Sequence, residues 1–212
     1  MENNRKIYLI RHCEPDLPEK TSICLGRKDI PLSNKGLKHA EKLKKTFSKL
    51  NIQAIYSSPL IRALKTTKII ANRDRYYEII DNFTELDVGK WDGMSFEKIK
   101  EKYPQEYAER GKYFETYVIE GGESMLACRD RALKGLDKVA SKSNGDIAVV
   151  SHAGVIRLIL SGILNISIKE SFLYKLEYGS ITILIYNSNK FDVKKIGMET
   201  GNFLSEEEGY NE

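Results

Sequence analysis

The chain has 212 residues, 41% hydrophobic and 30% charged, a mixture that excludes a disordered or a fibrous chain. The length suits one domain, residues 1–212, with a core that buries roughly 70% of the unfolded surface. The net charge of +4 is unevenly spread: residues 1–80 hold 17 Lys/Arg against 8 Asp/Glu, and residues 81–212 hold 17 against 22.

Cys13, Cys24 and Cys128 are an odd number of cysteines without a CxxC pair. That argues against a disulfide framework and for a reducing compartment. The polar start, Met1 to Lys6, is not a signal peptide, and no window approaches the ~18 apolar residues of a membrane span. A cytoplasmic protein is expected. The basic first part admits nucleic acid, an anionic small substrate, or solvated helix faces. Neither a helix-turn-helix signal nor interleaved aromatic and basic residues supports nucleic acid.

Residues 6–10 are a short apolar run, as expected of a buried strand. Residues 33–50 form a helix capped by Ser33, with Leu37, Ala40, Leu43, Phe47 and Leu50 on one face. Residues 53–57 are a second strand. Ser58-Pro59 then opens a helix, with Ser58 as cap and Pro59 at its first position. Residues 76–80 are a third strand.

The stretch 82–122 is irregular, a lid or side wall, with one short helix from about Ser95 to Tyr103 that Pro104 stops. Residues 123–141 are a long helix with Leu126, Leu133, Leu136 and Ala140 inward. Residues 146–151 are the clearest central strand, and a helix runs from about 154 to 164. Residues 180–186 and 190–196 form a hairpin-like pair around Asn187-Ser188-Asn189. Residues 203–212 read as a flexible tail. This alternation implies an α/β domain with a mainly parallel sheet covered on both faces.

In such sheets ligands bind beyond the carboxyl ends of the strands. Arg11-His12 follows the first strand, Ser58-Pro59 and Arg62 the second, and His152-Ala153-Gly154 the strand 146–151. Two histidines and two arginines therefore share one edge. Phosphoryl transfer suits that set. Arginine forks match phosphate oxygens, and helix N-termini add N–H groups. A neutral imidazole can attack phosphorus, and a second, protonated imidazole can stabilise the transferring group. The leaving alkoxide needs a carboxylic acid. Thr84 to Gly93 offers Glu85 and Asp87, and their spacing does not choose between them.

The chain resembles the histidine phosphatase superfamily, the phosphoglycerate mutase-like family. Arg11-His12-Cys13-Glu14 is similar to its Arg-His-Gly-Glu signature, and Gly26 to Gly36 to the following segment. Ser57 to Ala63 with Thr66-Thr67 resembles the second-arginine segment. Glu85, with glycines four and eight residues on, resembles the acid segment. Gly122-Glu123-Ser124 with Arg131, and Val150 to Gly154, complete a series over residues 6–158. The resemblance implies a three-layer α/β/α sandwich and no metal or organic cofactor. It implies His12 as the phosphorylated nucleophile, Arg11, Arg62 and His152 as the phosphate pocket, and Glu85 as the proton donor.

Two positions depart from the pattern. Cys13 replaces the signature glycine, which puts the local pocket shape in question. Pro18 stands where some members carry Asn, and Arg27 is the expected substitute phosphate contact. Cys13 and Cys24 near His12 match no closed zinc pattern, and a metal on His12 would remove the nucleophile. Arg131 is expected to be structural. The expected activity is hydrolysis of a small-molecule phosphate ester, with α-ribazole 5′-phosphate as a candidate substrate. Mutase-type phosphoryl transfer, disfavoured by chain length, and a non-catalytic phospho-ligand-binding module are the alternatives. The oligomeric state is not legible.

Overall fold

A computed structural model describes residues 4–18, 23–201 and 203. Its centre is a six-stranded sheet. Strand β1 (Arg5–Arg11) lies beside β6 (Asp146–Ser151), which is followed outward by β3 (Ile52–Ser57) and β4 (Tyr77–Ile79). These four strands are mutually parallel. On the other side of β1, β7 (Ile181–Asn187) and β8 (Lys190–Met198) continue the sheet antiparallel. A separate two-stranded ribbon joins β2 (Ile23–Cys24) to β5 (Met94–Ser95).

Helices cover both faces because side chains along a strand alternate between faces. Ile7, Leu9, Ile147 and Val149 face α5 (Met125–Lys142) and α6 (Ala153–Leu164) in one apolar cluster. Tyr8, Ile10, Ala148 and Val150 face α1 (Asn34–Phe47) and α2 (Ile61–Ala71) in the other. The central strands are thus apolar on both sides, which is why their sequences are nearly continuous hydrophobic runs. The three-layer α/β/α arrangement is as expected.

Several local features differ from the sequence reading. Helix α2 begins at Ile61, with Leu60 at its N-cap, so neither Ser58 nor Pro59 is in its first turn. Asp29, distant in sequence, accepts from Ile61 N at 2.6 Å and serves as the cap. The excursion 82–122 holds two α-helices where one was expected. It contains α3 (Phe96–Lys102) and α4 (Pro104–Lys112), and Pro104 starts α4 rather than only ending α3. Proline is tolerated there because the first helical N–H has no acceptor anyway. The short α7 (Ile168–Ser171) was not anticipated.

The β7–β8 turn has positive φ at Ser188 and Asn189, as a tight two-residue hairpin turn requires. Phe203, assigned by sequence to the tail, is buried against Tyr8 and Phe47. Residues 204–212 lie outside the described residues.

Candidate active site

The parallel strands end at one edge, and each delivers polar residues there. His12 N continues the ladder past β1 by donating to Ser151 O at 2.9 Å, and Ser58 N does so past β3 by donating to Val150 O at 2.9 Å. His152 directly precedes α6. As a result the His12 and His152 rings lie 5.0 Å apart between centroids. Both are buried. Arg11, His12, Arg62 and Glu85 line one cavity of about 650 Å³, with Gly154 at its wall.

The hydrogen bonds fix the His12 tautomer. Nδ1 lies 2.7 Å from the Cys13 carbonyl, and a carbonyl can only accept. Nδ1 therefore carries the proton. Nε2 keeps its lone pair and accepts from Arg62 Nε at 3.3 Å. Burial, then the charges of Arg62 and Arg11, push the His12 pKa well below the usual histidine range. The imidazole is neutral at pH 7.

Arg62 is almost wholly buried. Its Nη groups donate to Lys28 O at 2.9 Å and Gly26 O at 2.7 Å. Arg11 donates to Leu176 O at 2.6 Å, and its guanidinium stacks 3.7 Å from the centroid of Tyr178. Its buried Nε has no partner among the described residues. These contacts are to neutral groups, so both arginines keep their charge for an anion.

His152 Nε2 pairs with Ser58 Oγ at 2.7 Å, while its buried Nδ1 has no partner among the described residues. Burial, then His12, Arg62 and Arg11, hold its pKa well below the usual range. This differs from the protonated imidazole expected from sequence. The charges of Arg62, Arg11 and Arg131 oppose a proton there, and an anion bound among them would favour one.

Glu85 is buried at the same edge. Leu86 N donates to one carboxylate oxygen at 2.9 Å and Gly154 N to the other at 3.3 Å. A Cβ on Gly154 would stand 2.5 Å from the Glu85 carboxylate, so only glycine allows this approach. Burial raises the Glu85 pKa, against those amides and the charges of Arg62 and Arg11. Asp87, the rival by spacing, instead accepts from Gly89 N at 3.0 Å and pairs with Arg27 at 3.3 Å.

Arg27 is not among the cavity-lining residues. Its guanidinium pairs with Asp87 and, at 3.1 Å, with Glu123, and it donates to Glu85 O at 3.3 Å. Arg131 meets the same groups, reaching Glu123 at 2.6 Å and Glu85 O at 3.1 Å. Burial opposes the charge of Glu123, but bonds from Arg131 and Asp87 N and the nearby Arg27 hold its pKa below the usual range. This cluster braces the backbone that carries Glu85.

The Cys13 side chain is buried in the α1/α2-side core and does not line the cavity. Its φ is not positive. The Cys13 side chain therefore takes up no space in the cavity, and the buried thiol, with its pKa pushed up to about 12, is not a nucleophile. Among the described residues no cluster of His, Cys, Asp and Glu could hold a metal ion.

Sequence reasoning missed Tyr178, Arg110 and Arg157, which also line the cavity. Arg157 had a signal: it is the one charged residue in the apolar helix α6. Arg110, on a polar helix, had none.

An α/β sheet whose parallel strand ends converge on two histidines, two arginines and a buried acid defines a phosphate-handling protein. The chain belongs to the histidine phosphatase superfamily, branch 1, whose family model matches residues 7–199. It is 28% identical over 196 residues to phosphoserine phosphatase 1 of Hydrogenobacter thermophilus, covering 91% of this chain and 92% of that one. It is similar to the structure of a phosphoserine phosphatase mutant from Entamoeba histolytica in complex with phosphoserine. That match has a TM-score of 0.79 and 26% identity, and covers 91% and 96% of the two chains. The alpha-ribazole phosphatase of Shigella flexneri has a TM-score of 0.82 over 91% and 96% of the chains, but at 18% identity it shares the fold alone.

Proposed function

We propose that the chain works as a single-domain phosphomonoesterase that passes through a phosphohistidine on His12. The carrying observation is the His12 tautomer: a buried, neutral imidazole with its Nε2 lone pair beside Arg62. Nε2 attacks phosphorus, a P–N bond forms, and the ester P–O bond breaks. Arg11, Arg62 and His152 hold the phosphoryl oxygens. The departing alkoxide takes its proton from Glu85, whose raised pKa suits a general acid. Water then attacks phosphorus and gives a proton to Glu85, and the P–N electron pair returns to Nε2.

The phosphatase names of relatives such as that of Hydrogenobacter support this class of reaction. Three free cysteines agree with a cytoplasmic setting, and among the described residues no helix is long and apolar enough to cross a membrane. α-Ribazole 5′-phosphate stays on the list of substrates to assay, because the cavity is walled partly by aromatic residues such as Trp91, Tyr107 and Phe114. Hydrolysis of a series of aryl and alkyl phosphates tests the reading. The expected result is metal-independent turnover, with Glu85→Gln losing most on alkyl esters, whose leaving groups need the proton. Equal loss across the series would remove Glu85 as the acid. Chelator-sensitive turnover, or none, would remove the phosphohistidine mechanism.

A further inference from the structure

Arg11 is gripped by one short segment, Leu176 to Ser180, which leads into β7. Ser180 O accepts from Arg11 N at 3.1 Å, and Gly179 N donates to Arg11 O at 3.1 Å and to His12 O at 3.2 Å. Leu176 O accepts from Arg11 Nη1 at 2.6 Å. The ring of Tyr178, in the same segment, has its centroid 3.7 Å from the Arg11 guanidinium carbon and 5.6 Å from that of the His12 ring. Of these five residues, Tyr178 is the one that lines the cavity.

The segment is held stiffly. Ser180 N donates to Glu177 O at 3.0 Å across a turn in which Gly179 has a φ of +71° and Tyr178 has no positive φ. That is a type II turn, with Tyr178 at its second position and glycine at its third. A Cβ on Gly179 would stand 2.5 Å from the His39 ring, which also favours glycine there. Thr200 Oγ1 donates to Gly179 O at 3.3 Å.

An aromatic ring holds a guanidinium by its face and takes none of its N–H donors. A carboxylate partner would spend those donors and offset the charge. Leu176 O uses Nη1, and the buried Nε has no partner among the described residues. Burial lowers the Arg11 pKa, and Tyr178 is the strongest influence acting to raise it.

We propose that Tyr178 is a positioning residue for Arg11: its ring fixes the plane of the guanidinium so that Nε–H meets the phosphoryl group that His12 attacks. The donor is then in place before the substrate arrives, and binding does not have to order a long side chain. This deepens the phosphomonoesterase reading and rests on it for the reaction, while phosphate binding is read without turnover.

The test is a titration with inorganic phosphate, followed by NMR at the Arg11 Nε–H, which is assigned by its absence in Arg11→Met. In the parent chain that signal should lie upfield of ordinary arginine signals, because the Tyr178 ring current shields it, and should move downfield as phosphate accepts the hydrogen bond. Tyr178→Leu should lose the upfield shift and bind phosphate roughly two- to tenfold more weakly, the range for freeing one long side chain. Tyr178→Phe, which keeps the ring, should restore both the shift and the affinity. A parent Arg11 signal at the ordinary position, or one that phosphate does not move, would overturn the proposal even if the leucine variant failed to fold. So would phosphate affinity unchanged in Tyr178→Leu, or a loss in Tyr178→Phe as large as in Tyr178→Leu. Hydrolysis of an aryl phosphate by the parent separates the two readings. No turnover beside the expected shifts and affinities would contradict the phosphatase reading and uphold this placement of Arg11. Turnover beside an Arg11 signal that phosphate leaves unmoved would reject the placement alone.

Discussion

At His12 the physical question is how an imidazole stays unprotonated in a site built for anions. Burial and two guanidinium charges supply the answer, because both penalise the imidazolium. The sign is definite. A lowered pKa means that the nucleophile is lost only when the pH drops below the ordinary histidine value of ~6.5. The acid limb of kcat/KM, read on free enzyme, should therefore lie below that value once the titration of the substrate phosphate is allowed for. An enzyme limb at or above it would mean that His12 is not held neutral. Cys13 poses the opposite case, a departure from the family signature whose side chain stays out of the cavity. Its side chain fills the core, so Cys13→Gly should cost about 1–3 kcal/mol of stability through a cavity and a looser backbone, with kcat/KM close to the parent. Urea unfolding and steady-state kinetics check the two halves separately. A marked rise in kcat/KM would show that the cysteine restrains the site after all.

Among the elements, α2 shows how a distant residue organises the pocket. Leu60 offers no side-chain cap, so Asp29 reaches across to Ile61 N, the residue before Arg62. Removing it in Asp29→Ala should cost about 0.5–2 kcal/mol, and Asp29→Asn, which keeps an acceptor, should recover most of that. An alanine variant as stable as the parent in urea unfolding would show that the cap is idle. The example also marks what the sequence could and could not show. The parallel strands were legible because they are apolar on both faces, and residues directly after them had to share an edge. That placed Arg11, His12 and His152 without any contact being known. The Asp29 cap was not legible, because a polar side chain carries no record of a partner 32 positions away. In sequence Pro104 reads as a stop, since a proline that ends one helix and a proline that begins the next look alike locally. The two-residue strands β2 and β5 are too short to show alternation. Glu85 was separable from Asp87 only by burial, which their spacing does not encode.

Taken as a whole, the molecule sorts its charge by position. The basic excess of residues 1–80 includes Arg27, which the acidic later part neutralises through Asp87 and Glu123 outside the cavity lining. Arg11 and Arg62 are left facing neutral groups, available to a phosphate. The stretch 82–122 lends Trp91, Phe96, Tyr107, Arg110 and Phe114 to the cavity lining, while the strand ends bring His12 and His152 together. A phosphohistidine on His12 is the one covalent species the proposed reaction requires. Rapid quenching of the enzyme during turnover, followed by mass spectrometry of its peptides, should find one phosphoryl group, acid-labile and base-stable, on His12 and none in His12→Ala. Sustained turnover with no such adduct, or an adduct on another residue, would contradict it.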